Sequence, residues 1–260
     1  MITLTTDFGL KDPYAAEMKA VILGICPAAV IVDITHEISK FNVRMGAYVL
    51  ASAAPYFPKG TIHVAVVDPG VGTRRRSILI QTKKGFFVGP DNGLLALAAE
   101  NQGIKHIYEI TNLKFMLSKV SSTFHGRDVF APAAAHLASG VNPAEFGPEI
   151  REAAKPEFAK VTRRKSLLVG EVLHVDNFGN IITNINETKI ARIRVKDAVN
   201  VELPDNKLNL KFCGAYADAE PNEPLALIGS QGYLEIALNQ GDAAAKFNTK
   251  AGDKVTVSPS

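Results

Sequence analysis

Cysteine is scarce in this chain of 260 residues: Cys26 and Cys213 stand far apart, with no second thiol near either. That excludes a CxxC redox pair and a thiolate metal site, and marks both as reduced packing residues. None of the six histidines lies at ligand spacing from another histidine, a cysteine or a carboxylate, so zinc chemistry has no foothold. An excess of one charge is missing too, since 29 basic residues nearly cancel 26 acidic ones to leave +3, and no stretch is basic enough to track a nucleic-acid backbone. No apolar run reaches membrane-spanning length, and Met1 leads straight into the strand-like Ile2–Thr6 without the charged and apolar regions of a secretion signal. Internal repeats and low-complexity segments are also lacking. Together these absences predict a metal-free, cytoplasmic protein that engages neither nucleic acid nor membrane.

What is present is apolar content, 47% of the chain, enough to bury a substantial core in one large domain or two ordinary ones. Two are predicted. Up to about residue 150, short β-branched runs at Ile2–Thr6, Ala29–Ile34, Ile62–Val67, Ile78–Gln81, Phe86–Val88 and His106–Ile110 alternate with helical stretches. Those stretches, at Pro13–Ile25, Val43–Ala53, Leu94–Asn101 and Val129–Ala138, carry apolar residues at three-to-four spacing. This alternation is the pattern of an α/β domain with a mostly parallel sheet. Asp12 is placed as N-cap of the first helix, with Pro13 at its first position. Arg151–Lys165 is charged, contains Pro156 and lacks periodicity, which reads as a connection between a domain over 1–160 and one over 166–260. In the second, short strands at Leu167–Val175, Ile181–Ile185, Ile193–Val195, Val199–Leu203, Leu208–Phe212, Leu225–Ile228, Tyr233–Ala237 and Val255–Val257 are separated by turn chemistry. A smaller all-β unit, an antiparallel barrel, is expected there.

Asp68 follows the apolar run Val64–Val67, and a polar residue just past a strand's C-terminal end faces the crevice where α/β sheets bind ligands. Pro69, Gly70 and Gly72 allow a tight turn with exposed N–H groups, and Arg74, Arg75 and Arg76 follow. The loop lacks both the lysine of a phosphate-binding P-loop and the GxGxxG fingerprint. Spacing alone leaves open a surface loop whose aspartate caps the turn while the arginines stay solvated. His125, just before a helix in Thr123-Phe-His-Gly-Arg-Asp128, is either a capping histidine or a reactive one. Asp7 and Asp12 bracket a second strand-end turn, where paired carboxylates can hold vicinal hydroxyls.

These residues resemble the S-adenosylmethionine (SAM) hydroxide adenosyltransferases, adenosine-forming SAM hydrolases related to the fluorinases and chlorinases. The resemblance runs through Thr5-Thr-Asp-Phe-Gly-Leu-Lys-Asp12, Val67-Asp-Pro-Gly-Val-Gly-Thr73, Gly89-Pro-Asp-Asn-Gly-Leu94 and Phe124-His-Gly-Arg-Asp128. It continues through Asp176-Asn-Phe-Gly-Asn180 with Thr183-Asn184, and Ser230-Gln-Gly-Tyr-Leu234, covering nearly the whole chain. It implies an α/β domain followed by a β-barrel domain, and a homotrimer with active sites between neighbouring subunits. It also implies that Asp68, Arg75 and His125 prepare an attacking water, that Asp12 binds the ribose hydroxyls, and that Phe41 lies where the halogenases place a tryptophan. Asp176 resembles the contact to the methionine amino group, Asn180 and Asn239 contacts to adenine, and Ser230 a contact to the methionine carboxylate, although Gln231 replaces the arginine that follows that serine in fluorinases.

The reaction so implied is attack of water at C5′ of SAM, giving adenosine and L-methionine, with no cofactor because SAM is the substrate. A sulfonium already carries a neutral leaving group, so the protein must supply an oriented, activated water. The halogenating relatives place Tyr and Ser where Asp68 and Gly126 stand and carry a longer insertion between the strands after the Asp68 loop; a buried aspartate repels halide. Two other readings remain: a hydrolase of N-glycosidic or phosphate bonds, and a non-catalytic SAM- or adenosine-binding protein. Three adjacent arginines leave open which one faces the water.

Overall fold

In the first part of the chain the β-branched and aliphatic runs form six strands: β1 (Ile2–Thr6), β2 (Ile31–Thr35), β3 (Ile62–Val66), β4 (Ser77–Thr82), β5 (Phe86–Pro90) and β6 (Ile104–Glu109). A computed structural model describes every residue except Glu157 and Ala159. Its described residues fall into two compact units, Met1–Pro156 and Glu157–Ser260.

The six strands form one sheet in the order β2-β1-β3-β5-β4-β6. β2, β1, β3 and β5 run parallel, while β4 is antiparallel to both its neighbours. β4 is reversed because only Lys83-Lys84-Gly85 joins it to β5, and so short a link permits nothing but a hairpin. Four helices interleave: α1 (Tyr14–Ile25), α2 (Val43–Ala53), α3 (Ala96–Gln102) and α4 (Ala131–Ala138). α1 packs on α4, which lies against β1 and β3. Ile2, Leu4, Met18, Ile22, Val64 and Phe130, all fully or nearly fully buried, form the core between them. α2 packs on α3, with further contacts to β1 and β4.

The chain leaves β1 toward β2 on one side and returns to β3 on the other, so the strand order reverses between β1 and β3. Crevices at such switch points bind ligands. The parallel register Thr6↔Val66 brings the residues that follow, Asp7 and the Val67-Asp68 pair, out at the same edge of the sheet.

Several local expectations are corrected. Asp12 does not cap α1: Pro13 occupies the N-cap position in helical conformation (φ −75°, ψ −1°) with no side-chain cap bond, and the turn closes through Glu17 N–H to Pro13 O at 2.9 Å. α3 starts at Ala96, not Leu94, and a π-helical turn over Gly126–Phe130 precedes α4. π-turns of this kind are frequent at functional sites. α2 has the extent its periodicity predicts, capped by Asn42, whose side chain accepts from Met45 N–H at 3.0 Å.

The second unit contains β7 (Thr162–Arg164), β8 (Leu167–Val175), β9 (Ile181–Asn186), β10 (Ala198–Leu203), β11 (Asn206–Phe212), β12 (Pro224–Ile228), β13 (Tyr233–Leu238) and β14 (Lys254–Pro259). The sheet order β14-β10-β11-β12-β13-β9-β8, with β14 also paired to β8, closes a barrel of seven strands, and β7 extends from β8. Closure explains why the barrel is not antiparallel throughout. Each antiparallel pair reverses direction, an odd ring cannot return to its starting direction by reversals alone, and β11–β12 is the parallel pair that resolves this. Ile193–Val195 is a turn rather than a strand. Asn186 accepts from Lys189 N–H and starts the short helix α5 (Glu187–Ala191), after which Ile193 turns into the core at 4% exposure. The charged stretch read as a connection contains β7. A four-residue helix, α6 (Ala243–Lys246), follows β13.

Candidate active site

Gly72 decides where the Asp68 loop lies. Its φ of +76° suits glycine, and a Cβ there would stand 2.3 Å from the Ser122 carbonyl oxygen, so only glycine lets this loop close onto the segment leading to His125. From the other side, fully buried Asp128 accepts from Ser121 N–H at 2.7 Å and from Arg127 Nε at 2.7 Å. Arg127 also pairs with Glu17 on α1 at 2.8 Å and lies over the Phe124 ring. The two loops are thereby tied together and to the helical layer.

The contact made is Asp68–Arg75–His125. Arg75 Nε donates to both Asp68 oxygens at 3.0 Å, Nη2 donates to Asp68 Oδ2 at 2.5 Å, and Nη2 also donates to His125 Nδ1 at 2.7 Å. The Asp68 and Arg75 side chains are 5% and 10% exposed. A bidentate pair so shielded from water is strong and geometrically specific. Burial first, and then the Arg75 charge, hold the His125 imidazole below its ordinary value, with Asp68 and Asp128 pulling the other way. The three adjacent arginines point to different partners. Arg75 meets Asp68 and His125, Arg76 turns to Asp91 (2.6 Å) and the Glu152 carbonyl (3.1 Å), and Arg74 is exposed.

A cavity of about 410 Å³ opens beside this assembly. Its wall includes Asp7, Asp12, Phe41, Asp68, His125 and Gly126, so six of the residues singled out in the sequence meet in one place, with Arg75 behind the wall. Asp7 Oδ2 accepts from Phe41 N–H at 2.8 Å and so holds Phe41, 68% exposed, in a left-handed conformation (φ 63°). Strain of this kind in a non-glycine residue concentrates at functional sites. Asp12, freed from capping, is exposed at the rim. Sequence reasoning missed the aromatic side of this cavity. Phe8, Tyr14 and Phe124 meet edge to face, with centroids 5.2–5.8 Å apart. The available signal was that Phe8 and Phe124 adjoin Asp7 and His125 in the chain. At Gly126 a Cβ would meet Phe124 Cε2 at 3.1 Å and Met18 Sδ and Phe8 Cζ at 3.3 Å, so a larger residue requires those side chains to give by a few tenths of an ångström.

The second unit has its own cavity, about 690 Å³, lined by Asp176, Phe178, Asn180, Tyr216 and Asn239 among others. Asp176 folds its turn onto itself, accepting from Phe178 N–H and Asn180 N–H at 2.9 Å through Oδ1 and from Asn180 Nδ2 at 3.0 Å through Oδ2. Asn239 Nδ2 donates to the Ala219 carbonyl at 2.7 Å. Because both amide nitrogens face acceptors, the Oδ1 atoms of Asn180 and Asn239 remain as acceptors. Phe178 and Tyr216, 79% and 42% exposed, escaped the sequence reading, although an aromatic ring at the tip of the Asp176–Gly179 turn was a signal. Tyr216 donates to Glu235 Oε1 at 2.5 Å, and burial pushes that carboxyl above its ordinary value. Ser230 is not brought to this cavity; it lies with Gln231 on the exposed turn between β12 and β13. Among the described residues, no cluster of three metal-binding side chains occurs, and no helix is long and apolar enough to cross a membrane.

Comparison with known proteins matches residues 2–147 to the SAM hydroxide adenosyltransferase N-terminal domain and residues 170–256 to its C-terminal domain. The chain is similar to an (R)-S-adenosyl-L-methionine hydrolase of Methanocaldococcus jannaschii, 40% identical over 267 residues that span 99% of this chain and 95% of the relative. It is also similar to a fluorinase of Actinoplanes sp., 31% identical over 290 residues spanning 99% of this chain and 97% of that enzyme. A solved structure of a conserved protein from Thermotoga maritima superposes with a TM-score of 0.89 at 40% identity, covering 99% of this chain and all of the other.

Proposed function

This chain belongs to the SAM hydroxide adenosyltransferase family, and from that premise we propose that it hydrolyses S-adenosyl-L-methionine by attack of water at C5′, releasing adenosine and L-methionine. The observation that carries the reading is the Asp68–Arg75–His125 assembly at the edge of a cavity that also holds Asp7 and Asp12. In the reaction a C5′–O bond forms as the C5′–S bond breaks. The electron pair goes to sulfur, which leaves as the neutral thioether of methionine, and the water proton passes to the protein and then to solvent. No acid is needed at the leaving group. Asp68 and His125 orient the water, while Asp7 and Asp12 hold the ribose hydroxyls, so that the attack becomes effectively intramolecular.

In the second unit, the exposed rings of Phe178 and Tyr216 suit the faces of adenine, and the acceptor oxygens of Asn180 and Asn239 suit its amino group. The acidic side chain of Asp176 suits the methionine ammonium; Ser230, on the separate turn between β12 and β13, is carried over from the family resemblance as the carboxylate contact. The enzyme assembles as a homotrimer with substrate held between neighbouring subunits, a reading favoured by the bare apolar side chains of Leu10, Phe41 and Phe178, each more than two-thirds exposed. It works in the cytoplasm, where its two free thiols stay reduced. It needs neither metal nor cofactor, because the sulfonium supplies the leaving group and side chains prepare the water. Halide is disfavoured as nucleophile, since the buried Asp68 carboxylate on the cavity wall repels an anion.

Incubation with SAM in oxygen-18 water, followed by mass analysis, tests the reaction. Adenosine carrying the label is expected. Unlabelled adenosine, free adenine, or SAM retained without turnover would overturn the reading, the last in favour of a binding protein. Activity undiminished by EDTA, and a particle of three 27.9 kDa chains in sedimentation, are the expected companions.

A further inference from the structure

The donors of Arg75 can be accounted for one by one. A guanidinium has five N–H groups and no acceptor. One, on Nε, goes to the Asp68 carboxylate. The two on Nη2 go to Asp68 Oδ2 and His125 Nδ1. The two on Nη1 go to Ser77 Oγ at 2.8 Å and, at 3.4 Å, to the Arg76 carbonyl. The guanidinium also lies over the Phe130 ring, 5.4 Å from its centroid, and does not line the cavity. Arg75 therefore has no donor left for a water or a substrate. It also imposes a state on His125: the contact at 2.7 Å requires Nδ1 to accept, and a neutral imidazole carries a single N–H, which must then sit on Nε2.

Building on the proposed hydrolysis, we propose that Arg75, clamped by Ser77 and Phe130, is a positioning residue that locks His125 as the Nε2–H tautomer, so that His125 donates to the attacking water and Asp68 accepts its proton. An imidazole held this way cannot take a proton at Nε2. Asp68 is the neighbouring carboxylate on the cavity wall. That Asp68 is paired with Arg75 is no obstacle. Water bonding to C5′ becomes an oxonium, a strong acid, so the proton leaves late and needs a well-placed acceptor more than a strong one. The water then uses one lone pair for His125, one proton for Asp68 and its other lone pair for C5′. The charged groups facing His125 are Arg75, Asp68 and Asp128. Ser77, the first residue of β4, holds Nη1 from the rigid sheet.

Nitrogen-15 NMR of the histidine-labelled protein without substrate tests the tautomer directly and does not depend on the hydrolysis reading. A proton on Nε2 with an accepting Nδ1 is expected for His125. A proton on Nδ1, or averaging between the two, would overturn the assignment. With SAM, H125Q, which keeps a donor near the Nε2 position, is expected to turn over at least about 10-fold faster than H125A. Equal loss in both variants would identify His125 as the proton acceptor instead. S77A is expected to lower kcat about 10-fold with KM for SAM unchanged, and S77T to restore it. A change in KM without one in kcat would remove Ser77 from this role. Wild-type protein that leaves SAM intact would defeat the proposed function while leaving the NMR result to stand or fall alone.

Discussion

In the first unit the cavity's polar groups are bonded to one another before any ligand arrives, Asp68 to Arg75 and Arg75 to His125. In the second, the cavity is lined by the exposed side chains of Phe178 and Tyr216, with amide oxygens left as acceptors, and the Asp176 carboxylate serves its own turn. One arrangement is preorganised for charge that develops during a reaction, and the other for shape and stacking. Binding energy realised only in the transition state raises kcat, whereas contact made equally with ground state and transition state lowers KM. The two cavities should thus separate kinetically.

The sharpest break is D68N, which keeps the shape but removes the charge that Arg75 holds. A fall of about 10³-fold or more in kcat is expected, with KM changed by less than about threefold; a variant retaining a tenth of its activity would remove Asp68 from the chemistry. Next is the acid response of the first unit. His63 is 1% exposed, hydrogen-bonded to Thr3 Oγ1 at 2.8 Å and stacked on Phe87, and burial pushes it down to about 4 from 6.5. Because the folded form resists protonation, stability is full above about pH 6.5 and is lost as the pH falls toward 4. The His63 contribution to that loss is about 3 kcal/mol. Denaturant unfolding at pH 7 and pH 4 should reveal it, and H63Q should flatten the dependence; identical slopes in both proteins would refute the assignment.

R75K preserves charge but not the planar fork, so kcat should fall about 10²-fold while SAM affinity measured by calorimetry is kept. A pure loss of affinity would place Arg75 on the substrate rather than behind it. The smallest effect belongs to the other cavity. F178A should raise KM about tenfold with kcat nearly unchanged, in keeping with the usual value of base–aromatic stacking. A kcat defect there would erase the distinction between the two cavities.

Much of this was legible in the chain because its causes are local. Strand ends followed by Asp7 and Asp68 announce a crevice, glycines at 70 and 72 announce a tight turn, and apolar periodicity marks α2 to the residue. Asp12 misled because an Asp-Pro pair is a good helix start by statistics, yet the chain entered the helix through Pro13 and left the carboxylate outside. Ile193–Val195 misled because a buried aliphatic in a turn looks the same as one in a strand.

By itself, then, the sequence determined the two-part architecture, the loops that carry reactive side chains and the family to which they belong, since all of these follow from residue type at short spacing. The choice of Arg75 over its neighbours, the tautomer it imposes on His125 across 50 residues, and the pairing of Phe178 with Tyr216 in one cavity were decided only by the tertiary structure. So was the parallel β11–β12 pair. Each depends on which distant backbone segments approach, and that is set by sheet order, by the close contact at Gly72 and by the closure of an odd-numbered barrel, none of which is written in any one stretch of chain.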